Sequence, residues 1–583
     1  VFFVYGFVTI QENTMAKKTH KYIFVVGGVM SGVGKGIASS SIGKILQGKG
    51  FKVNPMKIDP YLNVDAGTMN PTEHGEVFVL KSGLETDQDM GNYERFMNVD
   101  LTHDDYMTSG MIYKYVIDKE RALGYGGKCV EAIPHITNEI ARRIEKSADA
   151  TGADITLVEI GGTVGDYQNA LFIEAARVLK IHKPNDVVFI MVSYLPIPGT
   201  LGEMKTRPTQ NAVRLLNSYG VQPDIIIARS KVALDGRRKE KIAASCAIRP
   251  EHVISAPDIE SVYDVPLNFE RDNLGDTLLK ALHLRKKPVA PGIADWAKFV
   301  EKAKSAARPD AKEVRVAIVG KYFDTGDFVL SDAYLSVIEA VKYSACWAGR
   351  KPNITWLNAK DFEKGSDAEI AKKLKELSAY DGIIVPGGFG ESGIEGKLKV
   401  IKHARENKVP YLGLCYGMQL MVIEYARNVL GWKDANTAEI NPKASKVVID
   451  IMPDQKKKLA EGKYGASMRL GTYIATLDKG TTAERVYKQA KIGAQGASGK
   501  YEIEERHRHR YEVNPEYIEQ VRAAGLVFSG TSPDGHLMEI AELPSSKHPY
   551  FIGSQFHPEF QARPLRPHPL FTGFIEAAIK GAK

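Results

Sequence analysis

Two groups of residues have types and spacings suited to chemistry. The first is Pro410-Tyr411-Leu412-Gly413-Leu414-Cys415-Tyr416-Gly417, a cysteine in G-x-C-x-G directly behind an apolar run. A tight strand-to-helix turn of this kind lifts a nucleophile clear of its sheet, and the helix N-terminus beneath it favours the thiolate. Taken alone, Cys415 has a more ordinary reading as a buried structural cysteine. Two other segments reverse that. Gln555-Phe556-His557-Pro558-Glu559 offers His557 as a general base and Glu559 to orient the imidazole. Pro386-Gly387-Gly388-Phe389-Gly390 follows another apolar run and can present backbone N–H groups to an oxyanion. Together they describe thiol attack on an acyl carbon.

The second group begins at Val25–Ser40, VVGGVMSGVGKGIASS. Strand, glycine-rich loop and helix cradle phosphate, because glycine lets backbone N–H groups approach its oxygens and the helix N-terminus adds favourable partial charge. Ser31, Gly32, Val33, Gly34, Gly36 and Ile37 would line the phosphates, with Lys35 as the point charge. The P-loop pattern is imperfect: no glycine stands six residues before Lys35, and Gly36 replaces the Ser/Thr that helps hold magnesium. Asp89 and Glu159, the second at the end of an apolar run, are carboxylates suited to a hard cation bridging phosphates. Either alone is an ordinary solvated acid or cap; beside the loop they read as a Mg-ATP site. Lys205 and Arg207, in GEMKTRPTQ, are two cations two residues apart that suit a second, triphosphate-bearing substrate, or in isolation a basic loop.

The elements that must position these groups are α/β. Apolar runs at 22–26, 155–160, 186–192 and 224–228 alternate with helical stretches, and their near-continuous hydrophobicity suits parallel strands buried on both faces. The signal lapses over 285–314, rich in charge with Pro288, Pro291 and Pro309, and resumes at 314–320, 382–385 and 409–414. The expected fold is two doubly wound α/β domains, an N-terminal P-loop-like one over 15–286 and a C-terminal one over 313–583 that carries the thiol, joined by a linker at 287–312. Residues 1–14 read as an upstream extension without function, since their apolar part is too short to span a bilayer and has no basic flank or cleavage site. Lys488–Lys500 reads as a surface loop. Bulk properties agree: 583 residues, 44% hydrophobic and 25% charged, with a formal charge of +8 spread along the chain. The one dense basic cluster, Arg506–Arg510, is too short to argue for nucleic acid, and no membrane span is evident. Four widely separated cysteines form no CxxC and fit a reducing cytoplasm.

The order PGGFG…GLCYGMQ…HPE resembles the class I glutamine amidotransferases. That resemblance implies that Cys415 attacks the side-chain amide of glutamine while His557 shuttles the proton. The N–H groups of Gly387 and Tyr416 would form the oxyanion hole, and Gly388, Gln419, Glu439 and Arg510 would hold the glutamine. Tyr416 stands where leucine is usual, a change a backbone donor tolerates. The strings GGVMSGVGKGI, KIDPYLNVDAGTMNPTEHGEVFV, VEIGGTVGD, KTRPTQ and ERHRHRYEVN are similar to the CTP synthase family, from about Met15 to the C-terminus. The family implies ATP-dependent amination of UTP to CTP through a 4-phosphorylated intermediate, the last step of de novo pyrimidine nucleotide synthesis. It implies Mg²⁺, ATP as co-substrate, GTP as allosteric activator and CTP as feedback inhibitor, in a cytoplasmic homotetramer that can form filaments. Lys35 and Lys57 would neutralise the transferred phosphate and Asp89 and Glu159 would hold the metal. Ser31, Asp166, Gln168, Lys205, Arg207, Gln210 and Lys241 would hold UTP or CTP. His74 would lie at the ammonia entrance, and Arg469 in a lid linked to GTP. Gln168 departs from the usual glutamate that contacts the nucleotide ribose. Alternatives are an amidotransferase acting on a carboxylate, as in cobyrinic acid amidation, or a non-enzymatic P-loop ATPase switch or filament.

Overall fold

The apolar runs form the centres of two sheets. The computed structural model describes residues 20–199, 202–320, 331–388, 390–452, 468–496 and 499–581; the extension expected at 1–14 lies outside them. In the first half the main sheet has the strands β1 (Lys21–Gly27), β2 (Val53–Asp59), β3 (Tyr106–Thr108), β4 (Ile155–Ile160), β5 (Val187–Tyr194), β6 (Ile225–Ser230) and β7 (Val253–Pro257). They lie in the order β3-β2-β4-β1-β5-β6-β7, and every pairing is parallel. Strand β1 sits at the point where the order reverses, the position at which open α/β sheets bind ligands beyond their strand C-termini. The helices that matter to the site are α1 (Lys35–Gly48), α2 (Gln88–Met97), α3 (Arg207–Ser218) and α4 (Gly236–Cys246).

The stretch expected as a linker contains a helix, α5 (Ala294–Ala306). Its Trp296, Phe299 and Val300 are buried at helical spacing in one apolar cluster with Phe96 and Tyr263 of the first half and Tyr343 of the second. Trp296 Nε1 donates to the Tyr263 carbonyl at 2.8 Å, and its ring lies 4.8 Å from that of Phe96. This segment is therefore a wedge rather than a tether. Burying one such aromatic contributes roughly 4–6 kcal/mol of transfer free energy, as an upper bound.

The second half adds β8 (Glu313–Gly320), α6 (Leu335–Trp347), β9 (Lys351–Asn358), β10 (Gly382–Val385), β11 (Tyr411–Leu414), α7 (Tyr416–Asn428), β12 (Arg469–Leu477), β13 (Ala494–Gln495), β14 (Tyr501–His509), β15 (Val527–Thr531), β16 (Met538–Glu542) and β17 (Phe551–Ser554). Their order is β9-β8-β10-β11-β17-β16-β15-β12-β14-β13. The first five are parallel and the rest join antiparallel. The surface loop expected over Lys488–Lys500 is shorter than that. Lys488–Ala490 close a helix, and Ala494–Gln495 pair with β14; residues 497–498 lie outside the described set.

Candidate active sites

At the nucleophile the chain is forced by packing. Cys415 lies between β11 and α7 with φ 49° and ψ −98°, a conformation costly for a residue with a Cβ and found at strained functional turns. A Cβ on Gly417 would stand 2.1 Å from the Val385 carbonyl oxygen, and one on Gly413 would stand 2.6 Å from the Tyr411 hydroxyl. The two glycines of G-x-C-x-G are thus what allows the elbow to seat against β10 and β11. Tyr416 opens α7, so its N–H has no intrahelical acceptor and remains available to an oxyanion.

His557 Nδ1 is 2.7 Å from Glu559 Oε1, and the ring stacks on Phe560 with centroids 5.0 Å apart. Burial pulls the imidazole down, but the Glu559 carboxylate and the neighbouring Cys415 overcome it and raise the group to about 10. His557 is therefore favoured in its protonated form at neutral pH, in the same cavity as the Cys415 sulfur. Cys415, His557, Glu559, Gly387 and Gly388 line one cavity of about 70 Å³. A Cβ on Gly387 would come 2.9 Å from His557 Cε1, so glycine is required there too. Gln419 Nε2 donates to the Tyr511 carbonyl at 2.9 Å, and Glu439 Oε1 accepts from Gly390 N at 2.8 Å, bracketing the same region. Arg510 directly follows β14.

The cavity has walls that sequence reasoning missed. Pro71, Glu76 and Val77, from the first half, close it. His74 belongs to the short exposed helix Pro71–His74 and is not among the lining residues. Glu76 accepts from Ser336 N at 3.1 Å and from Ser336 Oγ at 2.5 Å, at the start of α6. Burial pushes its carboxyl up, only partly offset by Ser336 and Arg95, to about 7.

In the first half, Gly32 and Gly34 take φ +68° and +93°, and Gly34 caps α1. Lys35, the first residue of α1, is buried, and its Nζ donates to the Gly162 carbonyl at 2.9 Å. Lys57 at the end of β2 pairs in register with Glu159 of β4. Its ammonium lies 3.0 Å from Glu159 Oε1, contacts Asp89 Oδ2 and stands 3.6 Å from Asp59. Burial lowers Lys57, but Asp89 and Glu159 more than reverse this and hold it well above the usual lysine range. Tyr93 donates to the other Glu159 oxygen at 2.5 Å. A Cβ on Gly36 would stand 2.1 Å from Asp89 Oδ1. The missing P-loop Ser/Thr has a steric reason: the carboxylate of Asp89 occupies its space.

Asp166 Oδ2 accepts from Thr163 N at 2.7 Å, and Gln168 lies exposed in the turn Tyr167–Asn169. Arg207 opens α3, and Gln210 one turn later is buried with Nε2 donating to Thr206 Oγ1 at 3.1 Å. Lys205 pairs with Glu203 at 2.6 Å, and Lys241 of α4 is near enough to act on the same carboxylate. Ser31 is exposed on the loop. A pocket of about 230 Å³ that the motifs did not reveal lies between Gly34, Ile37 and Ala38 on one side and Arg229, Pro257, Asp258 and Ile259 on the other. Arg469 is committed to two buried carboxylates, Glu539 at 2.8 Å and Glu512 at 3.3 Å.

Two known families match the sequence: "CTP synthase N-terminus" over residues 21–284 and "Glutamine amidotransferase class-I" over residues 329–577. A CTP synthase of Methanocaldococcus jannaschii is 46% identical over 564 residues, covering 96% of this chain and 99% of the relative. The chain belongs to the CTP synthase family. A CTP synthase of Carboxydothermus hydrogenoformans is 48% identical, with 97% and 99% covered, and one of Pyrococcus abyssi is 48% identical, with 96% and 98% covered. The solved glutaminase domain of Trypanosoma brucei CTPS, with bound acivicin, is 35% identical over 46% of this chain and 94% of that one, with a TM-score of 0.40. In this CTP synthase family member, then, the thiol site lies in the class I amidotransferase half and the phosphate loop in the synthase half.

Proposed function

We propose that the protein makes CTP from UTP, ATP and glutamine, the glutaminase half producing ammonia that the synthetase half consumes. Glutamine enters against Glu439 and Arg510, and the Cys415 sulfur attacks its side-chain amide carbon. Negative charge gathers on the amide oxygen, within reach of the N–H groups of Gly387 and Tyr416. The carbon–nitrogen bond breaks as His557 gives its proton to the departing ammonia, with Glu559 stabilising the imidazolium. Water then cleaves the thioester to glutamate.

In the synthetase half the 4-oxygen of UTP takes the γ-phosphoryl group of ATP, because a carbonyl oxygen does not leave until it is phosphorylated. Ammonia adds at C4 and phosphate departs, giving CTP. Phosphoryl transfer needs mainly positioning and charge neutralisation, which Lys35 and Lys57 supply at the C-terminal ends of the strands. The Gly34–Ile259 pocket, apolar with Arg229 at its edge, suits the adenine of ATP. Ser31, Asp166, Gln168, Lys205, Arg207, Gln210 and Lys241 would hold UTP and the product CTP, their donors and cations suiting a nucleoside triphosphate. Asp89 and Glu159 converge on one buried cation, that of Lys57. They fit Mg²⁺, which is held by one or two carboxylates and takes its remaining ligands from phosphates and water. Among the described residues no group of three or more candidate ligands occurs. Bound there, the metal would neutralise charge on the phosphates.

Association between copies is supported by the exposed Tyr115, Ile117, Leu123 and Ile133, which lie in one region of the sequence, and by Tyr167, 97% exposed next to Gln168; the homotetramer rests on the family resemblance. GTP activation, CTP inhibition, filament assembly and a cytoplasmic location belong to the same proposal and rest on the family resemblance alone. Among the described residues no helix is long and apolar enough to cross a membrane. A carboxylate acceptor or a non-enzymatic switch is not favoured by relatives that match end to end as CTP synthases.

The observation that carries the reading is one chain holding both the strained Cys415 beside His557 and the Lys35/Lys57/Asp89/Glu159 cluster. Cys415→Ala is expected to abolish CTP formation from glutamine and to retain at least half of the rate from ammonium chloride. Survival of the glutamine-driven rate would remove Cys415 from its role.

A further inference from the structure

Strand β14 carries Arg506-His507-Arg508-His509, and alternation along a strand puts its arginines on one face and its histidines on the other. The histidines stay inside the glutaminase half, His507 Nδ1 lying 2.9 Å from His509 Nε2. The arginines leave it. Arg506 reaches Glu94 of α2 at 2.8 Å, Asp100 at 3.0 Å and the Val79 carbonyl at 3.1 Å. Arg563 grips the same two acids, Glu94 at 2.5 Å and Asp100 at 3.2 Å. Arg508 Nε donates to Glu85 Oε1 at 2.8 Å, with Glu85 1% exposed at its side chain.

These contacts divide into two jobs. The side chains of Arg506 and Arg563 converge on Glu94 and Asp100 and hold the halves together, and the Arg506 backbone carbonyl accepts from His557 N at 2.8 Å. Arg508 stands at the nucleophile itself. Its side chain belongs to the contact with the synthetase half, while its backbone carbonyl lies 3.9 Å from Cys415 Sγ as an acceptor, and it lines the Cys415 cavity. Glu85 stands two residues before Asp87, whose carboxylate caps α2 at Asp89 N, 3.0 Å away. One short path of covalent, hydrogen-bonded and ionic links therefore joins the nucleophile to Asp89 beside Lys57.

We propose that Glu85 and Arg508 are a positioning pair through which the docked synthetase half sets the glutaminase site, so that glutamine is hydrolysed efficiently and its ammonia retained when the two halves are engaged. The inference rests on the function proposed above. Neither residue touches the reacting atoms through its side chain. The pair acts by fixing where the Arg508 backbone, and with it the wall of the Cys415 cavity, comes to rest. Because Arg506 and Arg563 hold the interface independently, neutralising Glu85 leaves the halves docked and isolates the effect.

The test compares the full-length protein with Glu85→Gln, Arg508→Gln and the double variant, measuring CTP from glutamine, CTP from ammonium chloride, and glutamate released per CTP. Each single variant is expected to lose about tenfold in kcat/KM for glutamine-driven synthesis, an ordinary intersite coupling. Glutamate released per CTP should rise, the ammonia-driven rate should stay within twofold, and the double variant should be no worse than the poorer single one. An equal loss with both nitrogen sources, an unchanged glutamate-to-CTP ratio, or additive losses would each overturn the proposal. If Arg508→Gln fails to fold, Arg508→Lys, which keeps the charge without the fork, is read by the same ratio. Absence of ammonia-driven CTP in the parent would instead refute the synthetase reading.

Discussion

Restoring a standard P-loop serine should disable this enzyme rather than improve it. In Gly36→Ser the new Cβ would lie 2.1 Å from Asp89 Oδ1 and 2.9 Å from its Cγ. Real Cβ atoms essentially never approach below 3.0 Å, so Asp89 or the loop must move by about 1 Å, and a serine hydroxyl would add to the crowding. Asp89 cannot yield cheaply, because its other oxygen holds Lys57, itself fixed to Glu159. A misplacement of about 1 Å near the reacting groups costs on the order of 100-fold in rate. The assay is CTP formation from ammonium chloride, UTP and ATP, which bypasses the glutaminase, with glutamine hydrolysis measured in parallel. The expected result is about a 100-fold loss of synthesis with nucleotide-free hydrolysis unchanged within twofold. Synthesis at or above the parental rate would refute the steric account and return the metal-binding role to the loop.

Three further outcomes are expected. His557, raised to about 10 through Glu559 and Cys415, loses its proton only as pH climbs through that value. Its contribution to folding is full below the unfolded value near 6.5 and lost as pH rises towards 10; Glu559→Gln should shift the alkaline limb of the glutaminase profile downward by at least one pH unit. Glu76, raised to about 7 by burial, is neutral when acidic and must ionise inside the interface above that pH. Its contribution is therefore full below about 4.5 and lost as pH rises through 7, and Glu76→Gln should melt higher than the parent at pH 8, with the difference gone by pH 5. Gln168→Glu, which places a carboxylate in the exposed turn beside Asp166, is expected to change the CTP inhibition constant at least threefold, measured against UTP.

Much of the fold was legible because strands buried on both faces leave an unbroken apolar signature. Ile155–Ile160 and Gly382–Val385 stand in the structure with the bounds read from sequence. The helix Ala294–Ala306 was not, since prolines and charges surround it; only Trp296, Phe299 and Val300 mark a face, and their partners lie in both halves. The thiol site was legible for a different reason. Steric demands at Gly413, Gly417 and Gly387 leave local spacing, and the HPE segment adds residue types few other sites need. Asp89 and Glu159 were readable as acids near a loop, but Glu159 meets Lys57 through sheet register and Asp89 through the packing of α2. Arg506 was read as part of a basic cluster too short for nucleic acid. Its partner Glu94 lies 412 residues away, and no local pattern connects them.

The central claim is that the ammonia released at Cys415 is the nitrogen the synthetase half consumes. It is tested most directly by supplying glutamine labelled with ¹⁵N in its amide, together with UTP, ATP and an excess of unlabelled ammonium at neutral pH, and reading the exocyclic nitrogen of the product by mass spectrometry. CTP carrying mostly ¹⁵N is the predicted result. CTP carrying the unlabelled solvent nitrogen in proportion to its excess would contradict it.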